Sequence, residues 1–144
     1  MIRKAGPSDA STLAFLAMQL WDGHGKAELT QEFEDFLRNK ECALFLAFHG
    51  ETPIGFAQCQ LRHDYVEGTD SSPVGYLEGI YVAEPHRSQG IARNLLAACE
   101  AWAKEQGCRE FASDCELTNT ASLAFHLGVG FSEANRIICF TKKL

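Results

Sequence analysis

The sequence predicts one α/β domain, of the α+β type, with a mixed central sheet and the element order β-α-α-β-β-β-α-β-α-β. Apolar residues at helical spacing alternate with apolar runs typical of strands, and glycine or proline residues separate the two. The 144 residues, 46% of them hydrophobic, are enough for one core and contain no repeat or low-complexity segment. We therefore expect a single domain over residues 1–144.

The N-terminal half predicts a strand, two amphipathic helices and a hairpin. "MIRKA" is a short strand, and a helix follows that begins at Pro7 and Ser8. Its apolar face contains Leu13, Leu16, Ala17 and Leu20. Residues 27–39 repeat this period, and "ALFLAFHGETPIGFAQCQLR" is typical of two strands joined at "HGETP".

The C-terminal half predicts strands and helices in alternation. "SSPVGYLEGIYV" is a long strand, "IARNLLAACEAWAKEQG" a helix that ends at Gly107, and "REFASDCE" a further strand. "NTASLAFHLGVGF" predicts a short helix capped by Asn119 and ended by Gly128 and Gly130. "SEANRIICFTKKL" predicts a final strand.

Composition argues against several classes of protein. A net charge of −6 without a basic stripe makes nucleic acid a poor partner, so acidic residues serve either solubility or a cationic substrate. No apolar run approaches the roughly 20 residues that span a bilayer, and the N-terminus lacks the apolar core of a signal peptide. We expect a cytoplasmic protein that does not bind membranes.

The six cysteines and five histidines show no metal-ligand spacing, and the cysteines mostly lie in apolar runs, so we expect reduced thiols and no metal.

The turn "EPHRSQGIARN" has a composition suited to binding phosphate. The preceding strand ends at Val82, Pro85 prevents its continuation, and Gly90 comes directly before an amphipathic helix. Unpaired N–H groups and the helix dipole attract anions there, and a glycine lets a phosphate approach the main chain. The alternative is a turn that only joins a strand to a helix.

These motifs together resemble the GNAT superfamily of N-acetyltransferases over essentially the whole chain. The resemblance includes the hairpin, the strand with a central bulge, the turn "RSQGIA", the long helix after it, and an asparagine before a helix that ends in Gly-Phe. Within the superfamily, "HDYVEGTDSSPVGYLEGIYV", "CREFASD" and "NTASLAFHLGVGF" are similar to aminoglycoside 6'-N-acetyltransferases. The resemblance implies acetyl transfer from acetyl-CoA to the 6'-amino group of an aminoglycoside, and hence antibiotic resistance.

The resemblance also implies where acetyl-CoA binds. Its pyrophosphate would lie on the turn residues Ser88, Gln89, Gly90, Ile91, Ala92 and Arg93. Gly79, which is costly inside an apolar strand, indicates a bulge or a close main-chain approach. In the family this strand splays from its neighbour, so the main chain of Ile80, Tyr81 and Val82 would pair with the pantetheine arm and polarise the thioester. Asn119 would hydrogen-bond CoA as well as cap its helix.

Two carboxylates are the candidate acceptor site. Glu78 lies beside the proposed bulge and Asp114 ends a strand expected next to it, although either alone is usually a solvated residue. The resemblance assigns both to binding the aminosugar, together with Trp21, Tyr65 and the weaker candidate His24. We expect Glu78 to act as general base or to orient the amine, and Asp114 to hold the substrate cation during direct attack in a ternary complex.

Several assignments differ from the superfamily pattern or stay open. His126 stands where many members have a tyrosine that protonates the leaving thiolate, and it is either that acid or a helix residue with satisfied hydrogen bonds. Asn135 stands where several relatives have an acid.

Family members are commonly homodimers, and "RIICF" either pairs with a partner or forms an internal strand. Alternative functions are acetylation of a polyamine or a protein amino group, and non-catalytic acyl-CoA binding by a regulator.

Overall fold

A five-stranded mixed sheet lies at the centre of the computed structural model, which describes residues 1–144. Its strands follow each other in the sheet in chain order. They are β1 (Ile2–Lys4), β2 (Cys42–His49), β3 (Thr52–Arg62), β4 (Val74–Val82) and β5 (Phe111–Ala112). The first four are antiparallel to their neighbours, whereas β5 runs parallel to β4 because a helix crosses over between them.

Four helices cover the two faces of this sheet. They are α1 (Ala10–Ala17), α2 (Lys26–Arg38), α3 (Ile91–Glu105) and α4 (Thr120–Gly128), and short 3-10 turns occupy Pro7–Asp9 and Glu84–His86. The apolar faces of α1 and α2 pack on one side of the sheet, with Phe33 and Phe56 in the centre of that core. Leu95, Cys99 and Trp102 of α3 pack on the other side.

Strand β2 shows how the two cores meet. Its first six residues, 42–47, are all buried, although successive side chains point to opposite faces of a sheet. A strand with both faces buried lies between two layers of helices, which explains why its sequence is a continuous apolar run rather than an alternation. The predicted α/β class with a mixed sheet is confirmed.

The predicted final strand is wrong. Residues 131–144 form neither helix nor strand, and Ile137, Ile138 and Phe140 are 72%, 80% and 87% exposed. A strand needs a main-chain partner, and the adjacent edge strand β5 has only two residues. In this structure "RIICF" pairs with none of the strands and is exposed, so the alternative of an internal strand is wrong.

Other boundaries differ by less. The helix predicted from Pro7 ends at Ala17, so Leu20 lies beyond it and is partly exposed. The strand predicted over "REFASDCE" is paired only at Phe111 and Ala112. Four of the six cysteines are buried, whereas Cys115 and Cys139 are exposed. None of the helices has the length and apolar composition that crossing a bilayer requires.

Candidate active site

Strand β4 separates from β5 and leaves one of its edges open. It pairs with β3 from Val74 to Val82, interrupted at one residue, but with β5 only at Gly75 and Tyr76. From Leu77 onward the edge that faces away from β3 has no strand partner. The predicted cofactor residues Ile80, Tyr81 and Val82 lie in this splayed part, where main-chain groups are available to a ligand.

Glu78 is the extra residue of a β-bulge in β4. Gln58 of β3 lies opposite Gly79, and the next residue, Cys59, lies opposite Leu77, so Glu78 has no partner on β3. A bulge bends its strand and redirects one side chain. The bulge predicted at Gly79 is therefore one residue earlier, and it aims the predicted catalytic carboxylate.

Gly79 has a separate role, because it lets the Trp21 indole lie against β4. A Cβ atom at Gly79 would be 2.6 Å from Cζ2 and 2.8 Å from Cη2 of Trp21. The indole also meets the ring of Phe56 edge to face at 5.9 Å. Any side chain at position 79 would displace it, so a glycine in this strand lets Trp21 lie against the main chain next to the bulge.

Glu78 forms an ion pair with Arg62, the last residue of β3. Arg62 Nη2 donates to Oε1 and Oε2, both at 3.0 Å, and Nε donates to Oε2 at 3.2 Å. The Glu78 side chain is 20% exposed and that of Arg62 is 38% exposed. A fork-like contact of this kind fixes the carboxylate in position and balances its charge. The Glu78 carboxylate is therefore one member of an ion pair.

Asp114 lies two residues beyond the end of β5 and is held by Tyr76. The Tyr76 hydroxyl donates to Oδ2 of Asp114. Burial of Tyr76, followed by its hydrogen bond to Asp114, raises the pKa of the phenol, so the hydroxyl stays a neutral donor. The Arg62 guanidinium lies over the Tyr76 ring, with Cζ 3.4 Å from the ring centre. The two predicted carboxylates are thus linked through Arg62 and Tyr76.

Tyr65 lies on the loop between β3 and β4, and polar contacts hold that loop. Val66 packs on Tyr76, while the Tyr65 side chain itself is 75% exposed. Oε1 of Glu110 accepts from the Asp70 amide at 3.0 Å and from the Ser71 hydroxyl. These hydrogen bonds, that of Ser71 first, lower the pKa of the Glu110 carboxyl. The loop is therefore anchored at its C-terminal half while Tyr65 stays open to solvent.

The turn before α3 has the main-chain geometry expected of an anion cradle. Gly90, at the helix N-terminus, has φ +82°, and Ser88 has φ +63°. Nothing lies within 4 Å of a Cβ placed at Gly90, so space is open above the turn. Arg93 donates to the Gly128 carbonyl at 2.9 Å and Arg87 to the Val82 carbonyl at 2.7 Å. Both arginines therefore tie elements of this region together.

The remaining predicted residues have local partners. Asn119 Oδ1 accepts from the Ser122 amide at 3.0 Å, which is the predicted helix cap. His126 Nδ1 donates to the Ser122 carbonyl at 2.7 Å, which leaves Nε2 to accept from the Ser113 hydroxyl at 2.7 Å. Both ring nitrogens are satisfied. His24 lies 3.4 Å from Glu28 on α2 and contacts neither carboxylate.

Sequence reasoning missed Arg62 and Tyr76. Their signal is present in the antiparallel register, because Arg62 lies opposite Val74 and Gln60 lies opposite Tyr76. From this position Arg62 reaches Glu78 and Tyr76 of β4. The register depends on the bulge at Glu78, which the sequence alone does not locate.

A family of known proteins matches most of this chain. The sequence model described as acetyltransferase (GNAT) family matches residues 12–131. The chain belongs to the GNAT acetyltransferase family. The predicted family is confirmed. In this GNAT protein, β4 is bulged and separates from β5, and it lies beside an open turn at the start of α3.

Relatives of this GNAT chain carry a more specific name. An aminoglycoside N(6')-acetyltransferase type 1 of Stenotrophomonas maltophilia is 46% identical over 147 residues, 99% of this chain and 93% of the relative. One of Salmonella typhimurium is 43% identical over 89% of this chain and 88% of the relative. Aminoglycoside acetyltransferase AAC(6')-Iy in complex with a CoA–acetylneamine bisubstrate analogue superposes with a TM-score of 0.95 at 40% identity, over 100% and 98% of the two chains. In complex with CoA the same enzyme gives 0.96.

Replacing Gly79 by alanine should displace Trp21. The added Cβ would overlap the indole, and such overpacking typically costs about 1–3 kcal/mol of stability. We expect a lower Tm and an altered tryptophan emission, with Trp21→Phe identifying which part of the signal belongs to Trp21. Gly128→Ala is the control, because nothing lies within 4 Å of a Cβ at that helical position. Unchanged emission and Tm in Gly79→Ala would contradict the close contact.

Proposed function

We propose that this protein transfers the acetyl group of acetyl-CoA to the 6'-amino group of aminoglycosides and so confers resistance to them. The observation that carries the proposal is the pair of carboxylates, Glu78 and Asp114, held where β4 leaves β5. A polycationic aminosugar matches paired carboxylates in a chain of net charge −6. The names of the relatives, at 36–46% identity, support the same activity.

Acetyl-CoA would bind along the open edge of β4 and the start of α3. Main-chain N–H groups of the turn at Ser88, Gln89, Gly90, Ile91, Ala92 and Arg93 would hold its pyrophosphate, as the positive end of the helix dipole favours. The pantetheine arm would pair with the main chain of Ile80, Tyr81 and Val82, which lacks a strand partner on that side. The thioester carbonyl would then lie near the bulge, where amide N–H groups would polarise it.

The acceptor amine would then attack the thioester directly. The attacking nitrogen must be neutral, yet primary amines titrate at about 8 to about 10. Glu78, directly or through water, would take the proton as the C–N bond forms, and Asp114 and Trp21 would hold the aminosugar, with Tyr65 contributing from the loop. The C–S bond breaks and the CoA thiolate takes up one proton. Of the two interpretations of His126, its two hydrogen bonds favour a residue that joins α4 to Ser113.

One assay separates this function from the alternatives. Acetyl-CoA consumption would be measured with a kanamycin-type aminoglycoside, a polyamine and a peptide amine at matched concentrations. We expect kcat/KM to be highest for the aminoglycoside. Turnover of the polyamine or peptide alone would support the second function, and tight CoA binding without turnover would support a regulator.

We also propose a cytoplasmic homodimer. Acetyl-CoA is an intracellular metabolite, which supports the cytoplasmic location. For the dimer, support comes from the exposed apolar side chains of Ile137, Ile138 and Phe140 in a segment that forms neither helix nor strand. Exposed apolar side chains grouped in this way are unusual on a monomer, and a second copy of the chain would provide a sheet edge for them.

Replacing Gly90 by valine should weaken acetyl-CoA binding. A branched side chain would stand where the main chain meets the pyrophosphate, and the left-handed φ of +82° disfavours valine. Calorimetry should show a lower affinity for acetyl-CoA and little change for the aminoglycoside. Gly107→Val is the matched control, since its φ is +92° and it also has open space but lies at the other end of α3. Equal affinities in the two variants would remove the cradle assignment.

The isosteric variants Glu78→Gln and Asp114→Asn should each lower kcat/KM for aminoglycosides and leave acetyl-CoA affinity nearly unchanged. Loss of a good base typically costs about 10²- to 10⁴-fold. The rate should rise with pH toward the amine pKa, more steeply in Glu78→Gln, because solvent must then supply the neutral amine. Full activity of both variants would show that these carboxylates are ordinary strand-end residues, even if the enzyme class stands.

Light scattering tests the dimer. We expect a mass near twice the 15.9 kDa of one chain, and a shift toward one chain mass when Ile138, 80% exposed in the single chain, is replaced by lysine. A mass near 15.9 kDa for the parent protein at working concentration would remove the dimer.

A further inference from the structure

Four side chains form a continuous chain of contacts across the acceptor side of the cleft. Glu78 is bound by Arg62, the Arg62 guanidinium lies on the face of Tyr76, and the Tyr76 hydroxyl donates to Asp114. The chain crosses from β3 to β4 and on to the residues after β5. It therefore joins a carboxylate of β4 with one that follows β5, and the two share no hydrogen bond with each other.

Two sets of contacts fix the position of Arg62. Three hydrogen bonds of 3.0–3.2 Å bind both oxygens of Glu78, and the same planar group stacks 3.4 Å above the centre of the Tyr76 ring. A guanidinium satisfies both contacts at once because it is flat and carries its donors in its own plane. A lysine ammonium in the same place has neither the fork nor the flat face.

Contacts hold the Tyr76 ring on both sides, and its hydroxyl binds Asp114. Its ring is 7% exposed and packs against Val66 as well as under Arg62. Its hydroxyl is a neutral donor that binds Oδ2 of Asp114, so Oδ1 of Asp114 is left to accept from a substrate ammonium. Val66 adjoins Tyr65 in the chain, which places the substrate loop on the same support.

We propose that Arg62 and Tyr76 are positioning residues that hold Glu78 and Asp114 in one fixed geometry, so that the two carboxylates recognise two amino groups of one aminoglycoside. The inference rests on the proposed function and deepens it. Tyr76 acts through Asp114 and governs binding of the acceptor; Arg62 acts through Glu78 and governs the orientation in which the amine attacks. Neither residue contacts the transferred acetyl group.

Tyr76→Phe and Arg62→Lys separate the two actions. Phenylalanine keeps the buried ring and its stacking and removes only the hydroxyl, so KM for the aminoglycoside should rise about 5- to 30-fold with a smaller change in kcat. Arg62→Lys keeps the charge and removes the fork and the stacking, so kcat should fall about 5- to 30-fold. Acetyl-CoA affinity should stay unchanged in both. Arg38→Lys, which alters an exposed ion pair with Asp35 on α2, is the control and should behave as the parent.

Double-mutant cycles decide whether the residues act through the carboxylates. In an Asp114→Asn background, Tyr76→Phe should have less than about a 2-fold further effect, and the same should hold for Arg62→Lys in a Glu78→Gln background. Multiplicative losses, or parental KM and kcat in both single variants, would overturn the inference. Thermal unfolding of each variant checks folding, and if one variant is unfolded the cycle of the other decides. Turnover of the aminoglycoside by the parent enzyme is measured first. If the parent shows no turnover, the proposed function is refuted, and this result is distinct from a failure of the positioning inference.

Discussion

The site depends on one interruption in the sheet, the point at which β4 keeps its pairing with β3 but loses its pairing with β5. Two residues, Gly75 and Tyr76, hold the parallel pair together, and the bulge at Glu78 follows at once. A sheet paired throughout would use every main-chain group of β4 internally. Because the interruption comes after Tyr76, the strand carries the tyrosine that binds Asp114 before it, the proposed catalytic carboxylate Glu78 at it and unpaired main-chain groups after it.

The ion pair of Glu78 and Arg62 is better understood as a geometric device than as a source of stability. Partly buried ion pairs lose hydration that their mutual attraction only approximately restores, so their net contribution to stability is small. What the pair provides is a carboxylate held by three hydrogen bonds beside the open edge of β4. Tyr76 provides the same for Asp114 at the cost of a buried hydroxyl, which that hydrogen bond satisfies.

The sequence predicted elements whose signals are local and failed where partners decide the outcome. Helical periodicity located α2, and the positive φ at Gly90 follows from a glycine placed directly before a helix. The bulge depends on register between β3 and β4, so Gly79 marked the region while the extra residue is Glu78. Residues 131–144 have the pattern of a strand but pair with no strand of this chain. Arg62 and Tyr76 could be assigned only once that register was known, because their partners are distant in sequence.

The two sides of the proposed cleft differ in how many buried apolar residues hold them. The proposed acetyl-CoA side consists of β4 and α3, a helix with five buried residues that packs on the sheet. On the acceptor side β5 has two residues, α4 has no fully buried residue, and polar contacts hold the loop of Tyr65, including one from Asn135 to Glu67 at 3.1 Å. Segments with few buried apolar contacts open at low free energy, so we expect this side to be the more mobile of the two. The contacts from Arg62 to Tyr76 and Asp114 then have a particular value, since they keep two carboxylates fixed on the side with fewer buried apolar residues.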